Sequence, residues 1–248
     1  MTGRRASRLR LKASRAGDAV LLRPVGRLDL STYAHLRDGL LKHAADQPTA
    51  LLVVLDEDFE IGSDTLAALF VTVWMRVARW PDVPFALVAR EPVHRAVLTR
   101  TGVTRFMPCY EEVGQALAAV EELPLRRRDE IQLPAAPLAA VLARSFVRER
   151  CGTWHLPRLV LPAVALADEL VANALLHTDS APVLRIDLFP HRFTVAVHDT
   201  SPVLPGSPGS GAGARGLAMV ETLSSAWGSN HTLDGGKVVW ASLEIAPR

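Results

Sequence analysis

The chain has 248 residues, 49% hydrophobic and 22% charged, with 28 Lys+Arg against 26 Asp+Glu. This composition excludes disorder as the main state and leaves room for two domains of about 100 to 150 residues each. A formal charge of +2 is too small to point to nucleic acid as a direct partner. No apolar run approaches the about 18 to 20 residues of a membrane span, the longest being Leu66 to Met75, and the basic start has no hydrophobic signal core. The sequence therefore reads as soluble and cytoplasmic, with no membrane partner.

In chain order, Arg8 to Ala13 and Ala19 to Leu28 flank a turn at Arg15-Ala16-Gly17-Asp18 and predict a hairpin. A helix is predicted over Ser31 to Ala45, with Ser31 or Thr32 as N-cap. The continuous apolar run Leu51 to Leu55 predicts a fully buried strand. A loop at Asp56 to Ser63 leads to an apolar helix from Asp64 to Arg79. A strand at Phe85 to Ala89 and helices at Pro92 to Thr101 and Tyr110 to Glu121 complete a small α/β domain.

Residues 122–134 are charged and punctuated by Pro124 and Pro134, which predicts a linker; the cluster Arg126-Arg127-Arg128 reads as part of it, solvated. Helices follow over Leu138 to Cys151 and Leu156 to His177. Strands at Val183 to Phe189 and Arg192 to His198 are joined by a tight Pro190-His191 turn. After a Gly- and Pro-rich stretch from Pro205 to Gly213, a helix is predicted over Gly216 to Trp227 and a strand over Lys237 to Ile245. Helices bunched ahead of an antiparallel hairpin predict a helix layer on one face of a sheet.

Four features of this second half bear on chemistry. Asp168, Glu169, Asn173 and His177 form a polar stripe on an otherwise apolar helix; it is either the solvent face or a lining for a ligand or ion. Asp199, in Asp199-Thr200-Ser201-Pro202, stands where a strand stops and is either a turn former or an acceptor for an amine such as the exocyclic amino group of adenine. Gly211-Ala212-Gly213-Ala214-Arg215-Gly216 is a literal G-x-G-x-x-G, but no strand runs directly into it, which argues against a dinucleotide fold. It leads instead into a helix N-terminus, which favours phosphate, with Arg215 adding charge. Cys109 and Cys151 make no disulfide framework, and Cys151 with His155 does not make a zinc site.

Taken in order, Glu169-Leu-Val-Ala-Asn173-Ala-Leu-Leu-His177, Asp199-Thr-Ser-Pro202, Arg215-Gly216-Leu217 and Gly236-Lys237-Val-Val-Trp240 resemble the GHKL (Bergerat) ATPase fold, and within it the bacterial anti-sigma-factor serine/threonine-protein kinases. The resemblance implies an α/β two-layer sandwich over residues 135–246, with ATP and Mg²⁺ as cofactors. It implies that Asn173 holds Mg²⁺ and that Asp199 binds adenine. Ser201, Arg215, Gly216, Leu217 and Lys237 would complete the nucleotide site, and Glu169 would be the general base toward a protein serine or threonine. The family usually carries glycine two positions before Gly216, where this chain has Ala214, a residue that resists positive φ.

Residues 8–121 resemble a STAS domain, the anti-sigma-factor antagonist fold, through Gly26-Arg-Leu-Asp29, Leu51 to Leu55, Gly62-Ser-Asp-Thr-Leu66 and Val93-His-Arg-Ala-Val-Leu-Thr-Arg-Thr-Gly102. In that family a serine or threonine at the helix start accepts phosphate. Aligning on Leu66 places Asp64 there, between Ser63 and Thr65. Asp64 reads either as a helix cap or as a fixed charge resembling the phosphorylated state; Ser63 and Thr65 remain candidate phosphosites.

Together these readings imply a cytoplasmic partner-switching regulator of sigma factor activity. Its partners would be a sigma factor or a STAS-domain antagonist, with a homodimer left open. The alternative is a non-catalytic ATP-binding interaction module. A histidine-kinase-like ATPase is disfavoured, because the region before residue 130 reads as α/β rather than as a helical hairpin.

Overall fold

The computed structural model describes residues 9–123, 126–205 and 214–245. The chain divides into two compact units, Met1–Leu123 and Pro124–Arg248.

The first unit contains β1 (Arg10–Ala16), β2 (Ala19–Leu28), α1 (Tyr33–Ala45), β3 (Leu51–Leu55), β4 (Phe59–Ile61), α2 (Ala68–Arg79), β5 (Phe85–Ala89), α3 (Pro92–Arg100), β6 (Cys109–Tyr110) and α4 (Val113–Glu121). Its sheet runs β1-β2-β3-β5-β6, with β4 pairing the far end of β2. Only β1 and β2 are antiparallel, joined by the two-residue turn Gly17-Asp18; β3, β5, β6 and β4 each run parallel to their neighbour. Because side chains alternate along a strand, Leu51, Val53 and Leu55 face α1, α2 and α3, while Leu52 and Val54 face Ala116 of α4. This accounts for the unbroken apolar run of β3, which is buried on both faces.

Helix α1 begins at Tyr33, and neither Ser31 nor Thr32 caps it through its side chain. Asp29 instead orders the turn that leads into the helix: its Oδ1 accepts from the N–H groups of Ser31 at 2.9 Å and Thr32 at 3.1 Å. A further bond from the Ser31 hydroxyl at 2.6 Å leads the causes that hold the Asp29 carboxyl below its ordinary range. The expected loop 56–63 contains β4, and the helix expected from Asp64 opens as a 3-10 turn, Asp64–Ala67, before α2.

The second unit contains β7 (Arg127–Gln132), α5 (Leu138–Thr153), α6 (Val160–His177), β8 (Val183–Phe189), β9 (Arg192–Asp199), α7 (Ala214–Leu223), β10 (Ala226–His231) and β11 (Lys237–Glu244). All five strands are antiparallel, in the order β10-β11-β9-β8-β7. Leu184, Ile186, Phe193, Val195, Val197, Val239, Ala241 and Leu243 share one face and pack against α5, α6 and Val220 of α7. Each fully buried leucine or valine in such a layer contributes about 1.5–3 kcal/mol.

Three expectations are corrected by the structure. The stretch 122–134 carries a strand, β7, paired along its whole length with β8. Two of its arginines are committed to a buried carboxylate: Arg128 Nε lies 2.9 Å and Arg126 Nε 3.1 Å from Asp187 Oδ1. Burial pushes the Asp187 carboxyl up, and Arg128 partly offsets it. The helix expected to reach Trp227 stops at Leu223, and Trp227 belongs to β10, packed against the helix layer. The longest apolar helix is Pro157–His177 rather than the stretch 66–75. By length and composition it could cross a membrane, but its Ala163, Leu166, Ala167, Leu170, Val171 and Ala174 are buried in the core of this unit.

Candidate functional site

The polar stripe on α6 divides. Asp168 turns to α5, where Arg144 Nη1 donates to its Oδ1 at 3.1 Å, and His177 is exposed. Glu169 is half-buried and Asn173 is 6% exposed. These two line a small cleft of about 110 Å³ with Ala172, Leu176, Gly216, Leu217 and Val220. One wall is therefore α6 and the other the start of α7. Ala172 and Leu176 were not singled out from the sequence, although the spacing i, i+3, i+7 from Glu169 is the signal that finds them.

Helix α7 begins at Ala214, so its first turn delivers Gly216 and Leu217 to the cleft. A Cβ built on Gly216 would stand 2.1 Å from Glu169 Oε2; the absence of a side chain is what admits the carboxylate. The side chain of Arg215, and Gly211 and Gly213 upstream, lie outside the described residues. A site for a drug-sized ligand spans about 300–1,000 Å³, so the cleft as bounded by the described residues is smaller than such a site.

At the end of the sheet, register creates a second polar cluster. Asp199 is the last residue of β9 and Lys237 the first of β11, and the two are directly opposite. Their side chains share the face of Phe193, Val195, Val197 and Val239, the face that the helices cover. Lys237 Nζ donates to Asp199 Oδ1 at 2.8 Å, with side-chain exposures of 0% and 1%. The Ser201 N–H donates to the same oxygen at 2.8 Å. Gly236 permits the approach of the two strands, because a Cβ there would stand 2.2 Å from the Asp199 carbonyl oxygen.

Two buried side-chain oxygens in these clusters have no partner among the described residues: Asn173 Oδ1 and Asp199 Oδ2. Native proteins satisfy nearly all such atoms. Both are acceptors, which suits a cation or an N–H donor. Among the described residues no group of three or more His, Cys, Asp or Glu side chains is placed to hold a metal by itself. Of the residues expected at the nucleotide site, Glu169, Asn173, Gly216 and Leu217 thus share the cleft, and Asp199, Ser201 and Lys237 form the cluster at the sheet end.

In the first unit, Asp64 stands at the start of the 3-10 turn with no capping hydrogen bond from Ser63. Its carboxylate is gripped by α3: Arg100 Nε donates to Oδ2 at 2.6 Å and Nη2 to Oδ1 at 2.8 Å. Those hydrogen bonds hold the Asp64 carboxyl below its ordinary range. Ser63 Oγ and Thr65 Oγ1 are 2.9 Å apart, and all three residues are exposed. The sequence singled out the Asp64 position but not its partner. Arg100 lies 36 residues downstream, on a helix that reaches it only through the fold.

No protein-family model matches the chain, and no curated protein matches it. Among solved structures, the chain is similar to an anti-sigma factor antagonist from Mycobacterium paratuberculosis, at 23% identity over 46% of this chain and 95% of that one, with a TM-score of 0.41. It is similar to a substituted RsbS from Moorella thermoacetica at 18% identity, over 45% of this chain and 95% of that one, with a TM-score of 0.38. A third similar structure is the anti-sigma factor antagonist SpoIIAA in its unphosphorylated form, at 16% identity over 47% of this chain and 100% of that one, with a TM-score of 0.36.

Proposed function

We propose that this chain is a cytoplasmic partner-switching regulator of sigma factor activity, whose second unit is a GHKL-type site for Mg²⁺-ATP and whose first unit is a STAS-like docking domain. The observation that supports this best is the pair of buried, unpartnered oxygens, Asn173 Oδ1 and Asp199 Oδ2. A buried acceptor left unmade costs about 1–3 kcal/mol, so each calls for a donor or cation that the described residues do not supply. Asp199 Oδ2 suits the exocyclic amine of adenine. Asn173 Oδ1 suits Mg²⁺, which typically takes one or two protein oxygens and completes its shell with phosphates and water. The donor set fits both.

In this reading Gly216, Leu217 and Arg215 offer the phosphates the start of α7. Ser201 and Lys237 act through Asp199, fixing its Oδ1 so that Oδ2 is left for the base. Bound Mg²⁺ supplies charge neutralisation at the phosphates. Glu169, one helical turn before Asn173, takes the proton of a serine or threonine hydroxyl on a separate STAS protein. The hydroxyl oxygen bonds to the γ-phosphorus as the bond to the β–γ bridging oxygen breaks, and ADP leaves.

A second reading, an ATP-binding module that transfers no phosphate, is favoured by one contact: the Glu169 carboxylate rests against Gly216. Titrating the full chain with ATP by calorimetry, with and without Mg²⁺, tests the nucleotide site. Incubation with labelled ATP and separate STAS proteins, alongside Glu169→Gln, tests transfer. Label on the partner that disappears in the variant supports the kinase. Transfer that survives in the variant removes Glu169 from its role, and ATP binding without label leaves the module.

A further inference from the structure

Glu169 projects from α6 onto the first turn of α7, and the approach is close: a Cβ on Gly216 would stand 2.1 Å from its Oε2 and 3.2 Å from its Cδ. Helix α7 has 10 residues, and the positive dipole end of a helix attracts an anion. Among the described residues, the anion found there is the chain's own carboxylate. One turn along α6, Asn173 lines the same cleft, is 6% exposed, and its Oδ1 has no partner among the described residues. An unfilled acceptor beside a helix turn against which the chain's own carboxylate rests describes a ligand site partly filled by a substitute.

We infer that Glu169 is a built-in competitor for the phosphate chain: its carboxylate occupies the first turn of α7 in the nucleotide-free protein, and phosphates displace it on binding. The inference rests on the nucleotide reading of the second unit and adds a regulatory element to it. Apparent affinity falls by the fraction of molecules in which the turn is vacated. Displacement also moves the carboxylate off the helix backbone, so the base becomes free only when the site is filled. A nucleotide-free molecule then holds its base in storage.

Calorimetric titration of the full-length chain with Mg²⁺-ATP, and separately with inorganic triphosphate, tests this in wild type, Glu169→Gln, Glu169→Ala and Asp168→Asn. The last variant removes the same charge one residue away, from a carboxylate that faces Arg144 on α5 rather than the cleft. Both Glu169 variants are expected to bind ATP and triphosphate about two- to fivefold tighter than wild type. Asp168→Asn should match wild type, and the gain should shrink as salt is raised. Glu169 variants that bind no tighter than wild type would overturn the competitor role and leave the nucleotide site standing. Equal tightening in Asp168→Asn would overturn it as well, by showing an effect of net charge alone. Absence of ATP binding in every protein, wild type included, would overturn the nucleotide reading and the competitor with it.

Discussion

Each unit holds one acid–base pair at its candidate site, and the two pairs have nearly the same length. Arg100 Nε lies 2.6 Å from Asp64, and Lys237 Nζ lies 2.8 Å from Asp199. What separates them is water. The first pair is 57% and 47% exposed, the second 0% and 1%. An exposed pair gains little, because solvent and salt screen it and both side chains lose freedom. A buried pair is costly to assemble and far more costly to break, because the survivor is left charged in a poor solvent. The first site can therefore exchange partners at the surface, whereas the second is fixed into its fold.

The sharpest way to break this contrast is Lys237→Met. It leaves Asp199 buried without its cation and should lower stability by about 3–5 kcal/mol, read as a shift in the urea midpoint. Adding Asp199→Leu to the same protein should recover a large part of that loss, since an apolar pair of similar volume is often no less stable than a buried ion pair. A double variant as unstable as the single one would show that Lys237 contributes through packing rather than charge.

Next in size is Gly236→Ala. The new Cβ would meet the Asp199 carbonyl oxygen at 2.2 Å, which is backbone and cannot swing aside. The expected loss is about 1–3 kcal/mol, visible in thermal denaturation, with ATP affinity falling in parallel because Asp199 is displaced. Asn173→Ala should separate the two readouts. Its Oδ1 has no partner to lose among the described residues, so stability should change by less than about 1 kcal/mol. Loss of a hydrogen bond or metal contact to a charged ligand should weaken Mg²⁺-ATP binding about ten- to a hundredfold. Unchanged affinity in calorimetry would remove Asn173 from the nucleotide site.

The elements that were legible in the sequence are those whose environment is uniform along their length. Leu51–Leu55 and Phe85–Ala89 lie where the apolar pattern puts them. Strands β7 and β10 were not legible. Arg127–Gln132 is a charged edge strand, and local pattern cannot tell an edge strand of Arg, Asp and Glu from a solvated linker. Trp227 continues the apolar spacing of α7, which hid the break at Leu223 and the start of β10. The site divides in the same way. Glu169 and Asn173 were found because helical spacing is local, and Gly216 because a glycine before a helix is visible in sequence. The pairings Asp64–Arg100 and Asp199–Lys237 span 36 and 38 residues, and only strand register and helix placement bring them together.

The smallest expected effect sharpens the comparison most. Arg100→Ala removes the hydrogen bonds that hold the Asp64 carboxyl below its ordinary range. A folded-state pKa below that of the unfolded chain means that the unfolded state binds the proton more readily. The pair's contribution is therefore present above the unfolded carboxylate pKa and lost as pH falls through the lower folded one. Thermal denaturation should show a small drop in Tm at neutral pH and low salt. That difference should disappear in acid, once Asp64 is protonated in both states, and shrink at high salt. Lys237→Met, whose partner is shielded from bulk ions, should keep most of its deficit when salt is raised. If the two variants responded to salt alike, exposure would not be what distinguishes the sites. The surface pair would then be a structural clamp on the start of α2, and not a contact that a docking protein can take over.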